Sequence, residues 1–176
     1  MLDTARLLAD LLCVGLCVSA AVCDLRSRRI PDWLTLPALA MGLALSVTAG
    51  VSSLVGALLA AGLCGGALAL FALGGGLGWG DVKLMAAVGA LLGWPLPSWS
   101  LVLYALIYTA LIGGGVAVIV AFYEKKLAAA LKATVAWPRR RRVQARSGVT
   151  IPYGVAIALG TIWAVATRYF PQLLVG

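Results

Sequence analysis

Carboxylates are the side chains in this sequence best suited to acid-base chemistry. The 176 residues contain no histidine, which excludes a Ser-His-Asp triad, a Cys-His pair and an HExxH zinc motif. Six acidic residues are present. Asp3 and Asp10 near the outer end of the first helix, and Glu124 beside two lysines, have ordinary interfacial explanations. The remaining candidates for catalysis are Asp24, Asp32 and Asp81.

Asp81 follows the glycine cluster GGGLGWGD and precedes a short apolar segment, Val82 to Trp94. A helix of that length spans about 20 Å, roughly 10 Å less than a hydrocarbon core. With Trp94 at the outer interface, Asp81 lies below the inner membrane surface, where a carboxylate is costly and marks a functional site. The glycines therefore predict a re-entrant loop, because irregular backbone at that depth must be buried in protein or line water.

Each of these acids also has a purely structural interpretation. Asp81 could simply N-cap the fourth helix, which is a common position for aspartate. Asp24, in the stretch CDLRSRRIPDWLT, could be a helix end paired with the arginines that follow it. A phosphate-binding loop is not indicated, because the glycines match neither GxxxxGK[ST] nor GxGxxG.

The composition is that of an integral membrane protein. Hydrophobic residues make up 62% of the chain, charged residues 11%, and the mean hydropathy is +1.02. The net charge of +8 is explained by cytoplasmic loops, so no nucleic acid partner is expected. No cofactor, zinc site or disulfide scaffold is expected either, because the cysteines lie in apolar segments without CxxC spacing. They are Cys13, Cys17, Cys23 and Cys64.

Six apolar segments predict a single all-α membrane domain over residues 1–176, and the first of them is expected to be a retained helix rather than a signal peptide. The segments are Arg6 to Cys23, Trp33 to Ala49, Leu54 to Leu73, Val82 to Trp94, Ser100 to Tyr123 and Ile151 to Phe170. The loops after the odd-numbered helices, including a basic loop at about 124–150, hold twelve of the 14 lysines and arginines. This asymmetry predicts six crossings, cytoplasmic odd-numbered loops and both termini outside. Asp24, Asp32 and Asp81 then share the cytoplasmic face.

Three motifs in this order resemble the type IV prepilin peptidases, and they extend over nearly the whole chain. GWGDVKLMAAVGALLG is similar to their GxGD signature, DLRSRRIPDWLT to their first aspartate motif, and IPYGVAIALG to their last-helix Pro-Tyr-Gly segment. The resemblance implies an intramembrane aspartic endopeptidase of the bacterial inner membrane. It would remove the leader of pilin-like precursors at the cytoplasmic face, with Asp24 and Asp81 as the catalytic pair.

Two departures from the family pattern are informative. Asp32 stands where many members have asparagine, which places a third carboxylate near the site. The bifunctional members carry a cysteine-rich insertion associated with methylation of the pilin N-terminus, whereas this chain runs from its first helix directly into the Asp24 motif. The resemblance is therefore to the short, peptidase-only branch of tight-adherence pilus systems, and we expect no methyltransferase activity.

Two neighbouring carboxylates repel each other and favour a state with one shared proton, in which one activates water and the other protonates the carbonyl oxygen. The dipoles of their own helices favour Asp81 as the anion and Asp24 as the protonated partner. Lys83 could stabilise Asp81 or lie at the interface. Two other functions remain open at this point: a proton- or cation-coupled transporter subunit using the same acids, and a lipid-binding assembly protein using PRRRRVQAR.

Overall fold

A computed structural model describes residues 2–74, 76–94, 99–123 and 153–170 of this chain. These residues form six α-helices and no strand. The helices are α1 (Leu2–Ser27), α2 (Asp32–Thr48), α3 (Val51–Leu73), α4 (Trp79–Leu92), α5 (Trp99–Tyr123) and α6 (Tyr153–Tyr169). Each corresponds to one predicted segment. The basic loop predicted at about 124–150 lies outside the described residues.

Three helices are long and apolar enough to cross a bilayer. They are Thr4–Ser27 in α1, Val51–Leu73 and Trp99–Ile119 in α5, of 24, 23 and 21 residues. At about 1.5 Å per residue each exceeds the roughly 30 Å of a hydrocarbon core. Helix α2 is apolar but shorter. The six helices and the three long apolar ones among them confirm the coarse prediction of an all-helical membrane protein.

Helix α4 is the centre of the bundle and contacts each of the other five described helices. Nearly all of its residues after the first turn are buried. Small residues allow this close approach, since a Cβ at Gly89 would lie 2.5 Å from the Ala60 carbonyl oxygen. Gly93 likewise meets the Ala60 side chain. A short helix that is surrounded by protein on all sides buries its own backbone and side chains without needing lipid contact.

The sequence contains two GxxxG spacings, Gly62/Gly66 and Gly89/Gly93, which predict close helix contacts, and the two pairs differ in what they contact. Gly89 and Gly93 lie against α3, as expected for close helix packing. The same expectation for Gly62 and Gly66 is wrong, because a Cβ added at either would meet nothing within 4 Å. Both face away from the described helices, so spacing alone did not distinguish a packed glycine pair from an outward-facing one.

A buried ion pair joins α1 to α6 at the end of the bundle opposite Asp24. Asp10 is 3% exposed and accepts bonds of 2.8 and 2.7 Å from Arg168 Nη1 and of 2.9 Å from the Tyr169 hydroxyl. Asp10 and Asp24 are separated by about 21 Å along the axis of α1. Asp10 therefore has a specific structural role, because its carboxylate accepts three hydrogen bonds that link α1 to α6.

Candidate active site

Asp24 lies in the last turn of α1 and is 7% exposed. The helix continues to Ser27 and then turns at Arg28, whose φ of 52° is left-handed and whose amide donates to the Asp24 carbonyl at 2.8 Å. Pro31 then precedes the first residue of α2. The first half of the DLRSRRIPD stretch is therefore helical, and this regular backbone directs Asp24 into the bundle.

The Asp24 carboxylate meets the beginning of α6. The Gly154 amide donates to Asp24 Oδ2 at 2.8 Å, in a buried bond between residues 130 positions apart. The Val155 amide that follows also acts on the charge of this carboxylate. Amides in the first turn of a helix have no partner within that helix, so Asp24 satisfies donors that would otherwise be unpaired.

Asp81 lies in the first turn of α4, which begins at Trp79 rather than at the predicted Val82. Its Oδ2 accepts the Gly78 amide at 3.2 Å, while the Asp81 amide donates to the Gly78 carbonyl at 3.2 Å. Asp81 therefore caps its own helix from the third helical position instead of being the N-cap residue. The bond leaves one of its two oxygens without a partner from this loop.

The two glycines of GWGD have different roles in bringing the motifs together. A Cβ at Gly78 would lie 3.2 Å from Asp81 Oδ2, so the loop turns tightly over the carboxylate. A Cβ at Gly80 would lie 3.2 Å from the Ile30 carbonyl oxygen, so α4 begins directly against the segment that follows α1. The glycines thus allow the Asp81 motif and the Asp24 motif to pack backbone to backbone.

The structure places the two predicted aspartates near each other at one end of the bundle. Their carboxylates are close enough for the charge of Asp24 to act on Asp81. The Tyr153 hydroxyl is within electrostatic reach of Asp81, and its ring packs on Gly113 of α5. Tyr153 and Gly154 were not predicted as site residues, although both belong to the quoted IPYG stretch. Helices α1, α4 and α6 together can therefore hold two carboxylates around one proton.

Asp32 and Lys83 pair with each other rather than with the central aspartates. Lys83 Nζ lies 2.7 Å from both Asp32 carboxylate oxygens, and the two side chains are 40% and 56% exposed respectively. The contact ties the beginning of α4 to the first turn of α2. Lys83 therefore bonds to Asp32 and not to Asp81, and its 40% exposure fits the interpretation of an interfacial lysine.

Comparison with known proteins identifies the family of this chain. Residues 11–118, more than half of the chain, match the type IV leader peptidase family. The chain belongs to that family. The matched range contains Asp24 and Asp81, while the α6 residues that contact Asp24 lie beyond it.

Several curated relatives of this leader peptidase family member are bifunctional by name. A prepilin leader peptidase/N-methyltransferase of Dickeya chrysanthemi is 39% identical over 95 residues, and one of Aeromonas hydrophila is 40% identical over 96. One of Burkholderia pseudomallei is 39% identical over 99 residues. The alignments cover 49–51% of this chain and 31–34% of those proteins, so the chain matches about a third of their length. No solved structure matches.

Proposed function

We propose that this chain is an aspartic endopeptidase that removes the leader from type IV pilin-like precursors, with Asp24 and Asp81 as its catalytic pair. The observation that carries the proposal is that the Asp81 motif packs against the segment that follows Asp24, which brings both carboxylates to the same end of the bundle, near enough for the charge of Asp24 to act on Asp81. The family match, which spans both residues, supports it. The curated relatives named as prepilin leader peptidases support the substrate class.

The reaction needs only the two carboxyl groups and water. One carboxylate takes a proton from water while the hydroxide oxygen bonds to the peptide carbon, and the other carboxyl gives its proton to the carbonyl oxygen. The neutral diol then collapses: the peptide C–N bond breaks, the first carboxyl protonates the leaving nitrogen, and a diol hydroxyl returns its proton to the second. The pair ends with the single proton with which it started.

The proposed setting is the bacterial inner membrane, with six crossings, a re-entrant glycine loop before Asp81 and the active site at the cytoplasmic face. Three long apolar helices and the positions of the lysines and arginines support this topology. The basic loop at about 124–150 and the odd-numbered connections would be cytoplasmic, and both termini outside. The pilin precursor would then present its leader from the cytoplasm and its first hydrophobic helix from the bilayer.

The deciding experiment follows loss of the leader when the purified protein, in detergent, is mixed with a pilin-like precursor. Asp24→Asn and Asp81→Asn each remove one carboxyl and are expected to lower cleavage by about 10²-fold or more. Asp32→Asn is the matched control, since the same change is made at an exposed carboxyl paired with Lys83, and it should cleave within about twofold of wild type. Cleavage by both catalytic variants would refute the mechanism. Loss of cleavage in Asp32→Asn alone would refute the choice of Asp24.

We also propose that this chain does not methylate its product, although its relatives are named N-methyltransferases as well. The supporting observation is that α1 leads directly into the Asp24 motif, without a CxxC pair anywhere in the 176 residues. Cleavage in the presence of S-adenosylmethionine should give a mature N-terminus whose mass is that of the unmethylated chain. Appearance of a methylated product from the purified protein would show that this part of the proposal is wrong.

A further inference from the structure

The contact between Asp24 and the beginning of α6 leaves no room for a side chain at position 154. A Cβ there would lie 2.8 Å from Asp24 Oδ2, 3.0 Å from Asp24 Cβ and 3.1 Å from Asp24 Cγ. All three nearest atoms belong to Asp24, so the space that the glycine frees is filled by that carboxylate. A side chain at 154 would force either Asp24 or α6 to move.

The donors that reach Asp24 favour its ionised form. Its Oδ2 accepts the Gly154 amide at 2.8 Å, and the neighbouring Val155 amide also favours the charged carboxylate. Amides of a helix N-terminus favour an anion through both hydrogen bonding and the helix dipole. Asp81 accepts the amide of Gly78 at the longer distance of 3.2 Å.

We propose that Gly154 is a positioning residue for the cleavage reaction: it lets the amides of α6 hold Asp24 as the carboxylate that takes the proton from water, and the shared proton lies on Asp81. This inference rests on the proposed function. It reverses the assignment made from the sequence, which considered each aspartate only at the end of its own helix. The beginning of α6 supplies Asp24 with the donors that the end of α1 lacks.

The other charged and titratable groups around Asp24 are known within the described residues. Arg28 after α1 acts on Asp24 electrostatically, the charge of Asp24 acts on Asp81 on α4, and Tyr153 on α6 is within reach of the charge of Asp81. Asp32 on α2 and Lys83 on α4 neutralise each other. A change confined to the amide nitrogen of residue 154 adds no side-chain atom and leaves all of these groups in place.

The first test replaces Gly154 by glycolic acid in the full chain, which exchanges the amide for an ester oxygen and adds no side-chain atom. The fold should survive, because a first-turn amide has no partner within its own helix. We expect kcat for precursor cleavage to fall about tenfold or more, with KM within about twofold of wild type. The acidic limb of the pH profile should move up by about one pH unit, since a carboxylate that has lost a donor is protonated more easily.

The second test compares Gly154→Ala with Gly160→Ala. Position 160 is at least as crowded, since a Cβ there would lie 2.5 Å from the Thr109 amide nitrogen, but it lies two turns further along α6. Both variants should unfold at a lower temperature. Only Gly154→Ala should lower kcat per folded molecule and move the acidic limb, which separates the positioning of Asp24 from general helix packing.

Wild-type kcat and an unchanged pH profile in the ester protein would overturn the inference, as would an equal shift of the profile in Gly160→Ala. If wild type releases no leader, the proposed function fails, and the contact is then tested by infrared titration of the Asp24 carboxyl in an Asp81→Asn background. The difference from Asp24→Asn/Asp81→Asn isolates the Asp24 band. If the Asp24 carboxyl titrates at the same pH with and without the ester at 154, the contact is refuted. If the ester moves its titration to higher pH, the contact is supported.

Discussion

Removing the arginine from the buried link between α1 and α6 tests the packing of the end of the bundle opposite Asp24. The Asp10 carboxylate is 3% exposed and accepts two hydrogen bonds from Arg168 and one from the Tyr169 hydroxyl. In Arg168→Met, only the bond from Tyr169 remains of these three. A buried charge that loses its partner costs about 3–5 kcal/mol of unfolding free energy. Tyr169→Phe removes one bond to a charged group and should cost about 1.5 kcal/mol.

The double variant tests whether the fold requires the Asp10–Arg168 ion pair or is only destabilised when one partner is removed. In Asp10→Leu/Arg168→Met both charges are replaced by apolar side chains of similar shape, which is often close to neutral. Because the double variant is nearly as stable as wild type, the coupling energy of the cycle should be at least as large as the roughly 3–5 kcal/mol lost in Arg168→Met. The pair would thus be costly to break but not required for the fold.

The stability of these variants can be measured through the buried thiols of this chain. Cys13, Cys17 and Cys64 are each 0% exposed and free, so a thiol-reactive fluorophore labels them only as the protein unfolds in detergent during heating. Cleavage per folded molecule should not change, since Asp10 lies about 21 Å from Asp24 along α1. Wild-type stability of Arg168→Met, or a coupling energy below about 0.5 kcal/mol, would refute the reasoning.

Two further predictions concern helix packing and the exposed ion pair. Gly89→Ala should destabilise the protein by about 1–3 kcal/mol, because its Cβ would lie 2.5 Å from the Ala60 carbonyl oxygen, whereas Gly62→Ala, which faces open space, should be neutral or slightly stabilising in the same thiol assay. A destabilised Gly62→Ala would show that its face is packed. Lys83→Met should cost at most about 1 kcal/mol, because its pair with Asp32 is 40% and 56% exposed. A larger loss of unfolding free energy, measured by chemical denaturation, would mean that this pair holds α4 in place.

The helices were predictable from the sequence because the signal is local. Long apolar runs give α1, α3 and α5 wherever they occur. The beginning of α4 was placed three residues late because the glycines before Asp81 were interpreted as loop, whereas Trp79 and Gly80 are already helical. Glycine disfavours helix in isolation, and here tertiary packing against Ile30 outweighs that preference.

The nearness of Asp24 and Asp81 was predictable only in part. Alternation of the helices across a membrane places both at one face, but that argument fixes a side and not a contact. The bond from Gly154 depends on α6 packing against α1, and the bond from Lys83 to Asp32 depends on α4 packing against α2. No local pattern encodes either pairing, since each joins residues that are 130 or 51 positions apart.

The protonation roles that we propose for the pair depend on which helix ends meet, and reasoning from separate helices does not take this into account. Asp24 belongs to the C-terminal end of α1, where the dipole of its own helix disfavours a charge. The N-terminal end of α6 abuts the same carboxylate, and the Gly154 amide bonds directly to its Oδ2, whereas the α1 dipole acts only through space. A direct bond to an anion outweighs a partial charge at a helix end, because the charge-assisted bond contributes about 1.5–3 kcal/mol and the dipole about 0.3–1 kcal/mol. The acid and base of such a site must therefore be assigned from the donors that reach each carboxylate.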